Sequence, residues 1–240
     1  MSLRVEGGQI AEAQPHVHGG QAQKGPLKGA MANQDGWAET TEQQVLDAAL
    51  TRVVTQGFTW PTVRAAGLAC GLSGPETELL LPHGPADLAA LLARRHDSVA
   101  LAALPDPGAL KIRARIRAAV EARLDAAAAD EAAVRRWAGY LALPHHLPLA
   151  TRLLWDSADK LWRWAGDTAT DENHYSKRAI LAGILASALA IRLSGGKDEA
   201  MTFVDARIEN VMAFETWKAA LKTGDLLKDL AGALAKLRYG

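Results

Sequence analysis

From Glu42 onward, apolar residues recur every three or four positions and nowhere keep the two-residue rhythm of a strand. That period puts them on one face of an α-helix. Val45, Leu46, Ala49, Val53 and Val54 make such a face in a first helix, which Gln56-Gly57 ends. Glycine suits the left-handed residue that follows a helix. Pro61 fits the first turn of a second helix over 60–69, where its missing N–H is not needed. Gly71-Leu72-Ser73 makes a turn, and Ser73 is placed to cap a third helix that ends at Pro82. Further helices are predicted at 85–104, 109–128, 130–142, 146–165, 171–194, 198–218 and 221–238. The fold class is therefore all-α, with a three-helix head over 41–84, a larger helical body over 85–218 and an amphipathic C-terminal helix over 219–240. Residues 1–40 are rich in Gly, Gln, Ala and Pro without an apolar period, and are expected to be a disordered tail.

Composition narrows the function. Apolar residues are 49% of the 240, enough for a sizeable core, and Lys plus Arg equals Asp plus Glu at 27 each. A chain that coats nucleic acid usually carries a basic excess. Cys70 is the only cysteine, which excludes an intrachain disulfide and a cysteine-rich metal site. No uncharged apolar run reaches the length of about 18 residues that a membrane span needs. There is no Glu-x-x-His pair for a di-iron carboxylate centre, no Gly-x-Ser-x-Gly, no phosphate loop and no dinucleotide fingerprint. No catalytic residue, cofactor or metal is assigned. His145 and His146 are adjacent, so on a helix they should diverge by about 100° and not share a metal ion. Between Pro144 and Pro148 they read as part of a helix start.

Residues 44–82, with "VLDAALTRVVTQGFTWPTVRAAGLACGLS" at their centre, resemble the N-terminal domain of TetR-type transcription regulators in the spacing of helix, Gly, helix, turn, helix and Pro. Their chemistry differs. Where that family commonly has Lys, Thr and Tyr in the reading helix, this chain has Gly74, Glu76 and Glu78, and Leu80-Leu81-Pro82 stands for its His-Phe-Pro close. Phosphate contacts by Lys and Arg supply most non-specific DNA affinity. From Trp60 to Pro82 the only Lys or Arg is Arg64. The frame is expected to be kept for packing, with no nucleic-acid partner.

A more specific resemblance lies in the body. Leu143-Pro144-His145-His146-Leu147-Pro148, Trp162-Arg163-Trp164-Ala165-Gly166-Asp167 and Thr170-Asp171-Glu172-Asn173-His174-Tyr175-Ser176-Lys177-Arg178-Ala179 follow one another in order. They are similar to motifs of the ubiquinone (coenzyme Q) biosynthesis protein nine family. The resemblance implies a TetR-like, non-enzymatic accessory protein that binds polyprenylated quinone intermediates and presents them to a partner hydroxylase. It also implies a homodimer, here through residues 171–194 and 198–218, that is cytoplasmic and peripheral on a bacterial inner membrane. Two family aromatics are replaced by Glu172 and His174. With Tyr175, which is retained, these are the candidate partner-binding residues. The alternative function is a ligand-responsive TetR-type regulator.

The residues themselves are compatible with a lipid site. Ala179–Ile191 carries no charge and should be buried almost all round. Ala179, Ala182, Gly183, Ala186 and Ala190 put small side chains on one broad face, which either admits a neighbouring helix or leaves room for a ligand. Trp155 and Trp162 lie seven apart with Leu154 and Leu161 beside them, as core or as ligand wall. With the resemblance added, the candidate lipid-binding residues are Leu154, Trp155, Leu161, Trp162, Leu181, Ile184 and Leu185. Burying one five-carbon prenyl unit contributes roughly 4 kcal/mol gross. Leu226, Leu227, Leu230, Leu234 and Leu237 line the last helix beside a basic flank, and are the candidate membrane-binding residues. A helix folded back on the body would carry the same pattern.

Overall fold

The computed structural model describes the backbone of residues 27–167 and 172–222, and the side chains of 36–167 and 174–210. Every regular element among them is helical. In chain order these are α1 (Leu27–Gln56), α2 (Trp60–Ala69), α3 (Gly74–Leu80), α4 (Pro85–Ala103), α5 (Ile112–Ala128), α6 (Glu131–Leu141), α7 (Leu147–Trp164), α8 (Glu172–Ser194) and α9 (Lys197–Lys222). Single 3₁₀ turns occupy Pro107–Ala109 and Pro144–His146. Contacts divide the chain into a unit ending at Ala38 and a unit from Glu39 onward, which holds the greater part of α1 and all of α2–α9.

Most helix ends fall where the local chemistry puts them. Thr59 caps α2 by accepting from the Thr62 N–H, with Pro61 in the first turn. Ser73 and Glu76 form a reciprocal capping box at α3. Gly67 lets α3 come close, since a Cβ there would stand 2.1 Å from the Thr77 hydroxyl oxygen.

Several boundaries differ from expectation. α1 starts at Leu27, inside the stretch expected to be disordered. That stretch lacks an apolar period but holds Leu, Ala, Met and Gln, which favour helix on their own. α5 begins at Ile112 because Pro107-Gly108 first takes a 3₁₀ turn. α9 runs on to Lys222 without the expected break near 218, because Trp217–Lys222 contains neither Gly nor Pro to stop it. The predicted last helix beyond that point, with Leu226, Leu227, Leu230, Leu234 and Leu237, lies outside the described residues, as does the tail over 1–26.

Two apolar centres form. In the first, Val45, Leu46 and Val53 of α1 meet Leu88 and Leu92 of α4 and Val134 and Trp137 of α6. Val54 is only half-buried, and its carbonyl accepts from Arg136 at 2.9 Å. In the second, Ile116 and Val120 of α5, Leu161 of α7, Leu181 and Ile184 of α8 and Val204 of α9 pack together. A polar knot ties α4, α5 and α7. The Asp97 side chain, 3% exposed, accepts from Arg123 at 2.7 Å, Ser157 at 2.7 Å and Lys160 at 2.9 Å. A buried carboxylate is tolerable only with its oxygens satisfied in this way.

The expectation for α8 needs correction. The helix is not buried all round: Leu181, Ile184, Leu185 and Ala188 face inward, while Ala179, Gly183, Ala186 and Ala190 are exposed. Ala179–Ile191 carries no charge, but its small residues bury little apolar area and do not force a face inward. Among the described residues most of the small-residue stripe neither packs a helix nor lines a cavity; Ala182 alone of it is partly buried.

Candidate functional site

A cavity of about 430 Å³ opens among α5, α7, α8 and the middle of α9. That size falls in the range of about 300–1,000 Å³ typical of small-molecule sites. One turn of α5 supplies Ile112 and Ile116, α7 supplies Trp162, and α8 supplies Ile180, Leu181 and Ile184. Ile208 closes it from α9. The Trp162 indole N–H donates to the Lys177 carbonyl at 3.0 Å, which holds the ring as a wall between α7 and α8.

The polar end is built by the way α7 stops. The Asp167 N–H donates back to the Trp162 carbonyl at 3.0 Å, with Gly166 in the left-handed region at φ +89°. This termination directs Asp167 back toward α8. Its carboxylate accepts from Lys177 Nζ at 2.7 Å and from Arg178 Nη1 at 3.0 Å. Burial works against the charge on Asp167, but those hydrogen bonds outweigh it and hold the carboxyl below the ordinary carboxylate range. The Arg178 side chain is 2% exposed; it also donates to Asp159 at 2.6 Å and to the His174 carbonyl at 3.1 Å. Lys177 Nζ lies 5.5 Å from the Trp162 ring centroid, within cation–π range. Arg113, Arg115 and Ser176 complete the mouth. Arg115 donates to the Leu110 carbonyl at 2.8 Å and to the Ala165 carbonyl at 2.7 Å.

Of the residues singled out in the sequence as lipid-binding, Trp162, Leu181 and Ile184 line this cavity. Leu161 is fully buried in the core. Leu154 and Leu185 border a separate crevice of about 20 Å³, too small for a prenyl unit. Trp155 lies elsewhere, its ring stacked on Tyr175 with centroids 6.1 Å apart. Seven residues of helix separate the two tryptophans by about 10 Å along the axis, so one shared face serves two places. Ile112, Ile116, Arg115 and Ile208 were missed, because an apolar pair on a distant helix carries no local mark of what it faces.

Tyr175 is 64% exposed, and His174 stands edge-on to it at 5.2 Å. The Glu172 side chain lies outside the described residues. The two adjacent histidines do not diverge as expected. The rings of His145 and His146 lie 3.9 Å apart, and His146 lies 3.9 Å from the Tyr140 ring. They sit in a 3₁₀ turn, where ring contacts rather than α-helical spacing set their direction. Among the described residues no group of three His, Cys, Asp or Glu side chains is placed to hold a metal ion.

In the head, both carboxylates have local partners. Glu76 accepts from the Ser73 N–H at 2.7 Å and from its hydroxyl, which holds its carboxyl below the ordinary range. Glu78 accepts from Arg64 at 2.9 Å. No described helix is long and apolar enough to cross a membrane.

The COQ9 family model matches residues 147–215, the stretch that runs from α7 through α8 into α9 and carries most of the cavity wall. Over 213 residues the chain is 29% identical to ubiquinone biosynthesis protein COQ9, mitochondrial, of Bos taurus, covering 83% of this chain and 67% of that protein. It is 28% identical to the protein of the same name from Homo sapiens, with 83% and 67% covered. The Xenopus tropicalis protein is 31% identical over 131 residues, 51% of this chain and 40% of its own.

Proposed function

We propose, from its similarity to the COQ9 family of ubiquinone biosynthesis proteins, that this chain is a non-enzymatic lipid-binding accessory protein of that kind. It binds polyprenylated quinone intermediates in the cavity among α5, α7, α8 and α9 and presents them to a partner hydroxylase. The observation that carries this reading is the cavity itself, with an isoleucine, leucine and tryptophan wall at one end and a polar mouth at the other. Such a wall suits a prenyl chain, since each buried methylene contributes about 0.8 kcal/mol without any directional contact. Exposed Tyr175, stacked on half-buried Trp155, is the proposed partner-docking surface. His174 beside it makes that surface more polar than the family pattern.

Three further parts belong to the same proposal. The exposed stripe of Ala179, Gly183, Ala186 and Ala190 on α8 suits close approach of a second copy, consistent with a homodimer through α8 and α9. Membrane contact falls to the leucines between Leu226 and Leu237, with the protein peripheral on an inner membrane. A DNA-binding regulator fits less well, since Glu76 and Glu78 occupy the short helix and Arg64 is engaged with Glu78. The test is native mass spectrometry after detergent-free purification. A retained quinone-like mass is expected in the wild type and lost in a folded Ile184→Trp variant; unchanged occupancy in that variant overturns the cavity as the lipid site.

A further inference from the structure

Residues 107–120 carry Lys111, Arg113, Arg115 and Arg117 and no acidic residue, in a chain whose charges cancel overall. The structure sets this basic stretch at the opening of the cavity, where α5 begins. Lys111 and Ile112 are exposed there, Ile112 by 43%. Ile112 and Arg113 both line the opening. From α8 the same opening receives Lys177 and Ile180, the latter 39% exposed. Two exposed isoleucines and several cations therefore share one rim.

The rim is positive. Lys111 makes no ion pair with any described residue, and Arg115 is braced by the Leu110 and Ala165 carbonyls. Arg113 meets Glu209 at 3.5 Å with both side chains more than half exposed. Water screens such a pair, and a lipid phosphate can replace it. Arg117 is turned away, toward Asp205 and Glu121. The opposing acids are Asp106, Asp167 and Glu209. Asp106 accepts from the Gly108 N–H, and Asp167 is shared between Lys177 and Arg178. α5 has no side-chain cap, so the positive end of its macrodipole lies at this rim as well.

We propose that the rim of the cavity is a second membrane-contact surface, which seats on an anionic bilayer and turns the opening toward it. Exposed apolar side chains enter the headgroup boundary while cations draw the surface to anionic lipid. A protein is the less suited occupant, because interfaces between proteins are depleted in Lys. The inference rests on the reading of this cavity as a lipid site and adds the route by which a lipid reaches it. It differs from the contact assigned to the leucines between Leu226 and Leu237: those retain the chain on the membrane, and the rim orients it. A few cations and two isoleucines are too little to hold the chain on vesicles. They suffice to let an apolar tail pass between bilayer and cavity without crossing water, the step that exposes most apolar surface.

The test measures transfer by the full chain. Sucrose-loaded donor vesicles hold a quinone with a four-unit prenyl tail, light acceptor vesicles hold none, and the quinone reaching the acceptors is followed after the donors are pelleted. Vesicles are phosphatidylcholine alone or mixed with phosphatidylglycerol. The variants are Lys111→Glu and, as an equal change of charge on α6 outside the cavity, Arg135→Glu. Lys111 is exposed and its side chain caps nothing, so its replacement should leave the fold intact. In anionic vesicles Lys111→Glu should slow transfer about fivefold or more, the scale of one basic contact with an anionic leaflet, and Arg135→Glu much less. The difference should shrink in phosphatidylcholine and at high salt. Calorimetry with a soluble quinone bearing one prenyl unit should give equal affinities for wild type and Lys111→Glu. If the two charge reversals slow transfer equally, the rim is not a docking surface and the proposal is overturned while the lipid cavity stands. If Lys111→Glu weakens the soluble quinone, the residue acts inside the cavity and the proposal is overturned likewise. If that quinone does not bind with an affinity that Ile184→Trp lowers, the lipid-site reading fails and the proposal with it.

Discussion

The Arg178 guanidinium meets the Asp167 carboxylate at 3.0 Å with both side chains almost wholly buried. Asp159 takes its other nitrogen at 2.6 Å, so one arginine at the start of α8 joins two positions at the end of α7. The same carboxylate reaches Lys177 at the cavity mouth. The Lys177-Arg178 pair that comes after Tyr175 therefore divides its work: Lys177 lines the cavity, and Arg178 clamps the two helices that form its wall.

Removing that clamp should be severe. Arg178→Met removes the most buried cationic partner of Asp167 and Asp159, which keep only Lys177 and Arg163 at the more exposed side, and loss of one partner of a buried pair typically costs about 3–5 kcal/mol. Urea unfolding of the variant should show its midpoint lowered accordingly. A loss below about 1 kcal/mol, the scale of an exposed pair, would mean water already screens the site.

Acid stability should carry the mark of His96. Burial first, then the neighbouring Arg123, depress its pKa from 6.5 to about 4, against the opposing pull of Asp130 and Asp97. The unfolded chain binds this proton more readily, so His96 withdraws stability as pH falls from about 6.5 to about 4 and has no further effect below. Glu42, raised by burial, acts in the opposite direction above its ordinary value of 4.5, so the net slope mixes the two. The difference between wild type and His96→Gln isolates the histidine. Unfolding measured across this acid range should give a shallower slope in the variant, and identical slopes would refute the assignment.

The two tryptophans of α7 should separate by function. Trp162→Ala opens the cavity wall and should lower lipid occupancy. Trp155→Ala removes the stack on Tyr175 and should leave occupancy intact while weakening hydroxylase capture. Native mass spectrometry of both variants reads the difference. Equal lipid loss in the two would place Trp155 on the ligand path after all.

Membrane contact is tested by truncation after Lys222, where the described part of α9 ends. Each basic side chain near an anionic leaflet contributes about 1 kcal/mol, and buried leucines add an apolar term. Full-length protein should co-sediment with anionic liposomes, less so as salt rises, and the truncated chain should remain mostly in solution. Equal sedimentation would assign membrane contact to another surface.

The chain's own order of residues decides what is local. Thr59, Ser73 and Glu76 set helix ends through bonds to neighbours three residues away, Pro61 does so through its fixed φ, and the inward sets Val45–Val53 and Leu181–Ala188 follow the helical period. The family motifs were also legible in the sequence, because they are contiguous. Which apolar residues face a void is a matter of tertiary packing. Ile112 and Ile116 look like any core pair until α5 is set beside Trp162 and Ile184. Periodicity states which side of a helix turns inward; it does not state the distance between two helices at a given height. That distance places Leu161 in the core, Trp162 at the cavity and Trp155 at the surface stack, though all three lie on one helix. It likewise leaves the small-residue stripe of α8 outward, because nothing in a row of alanines compels burial.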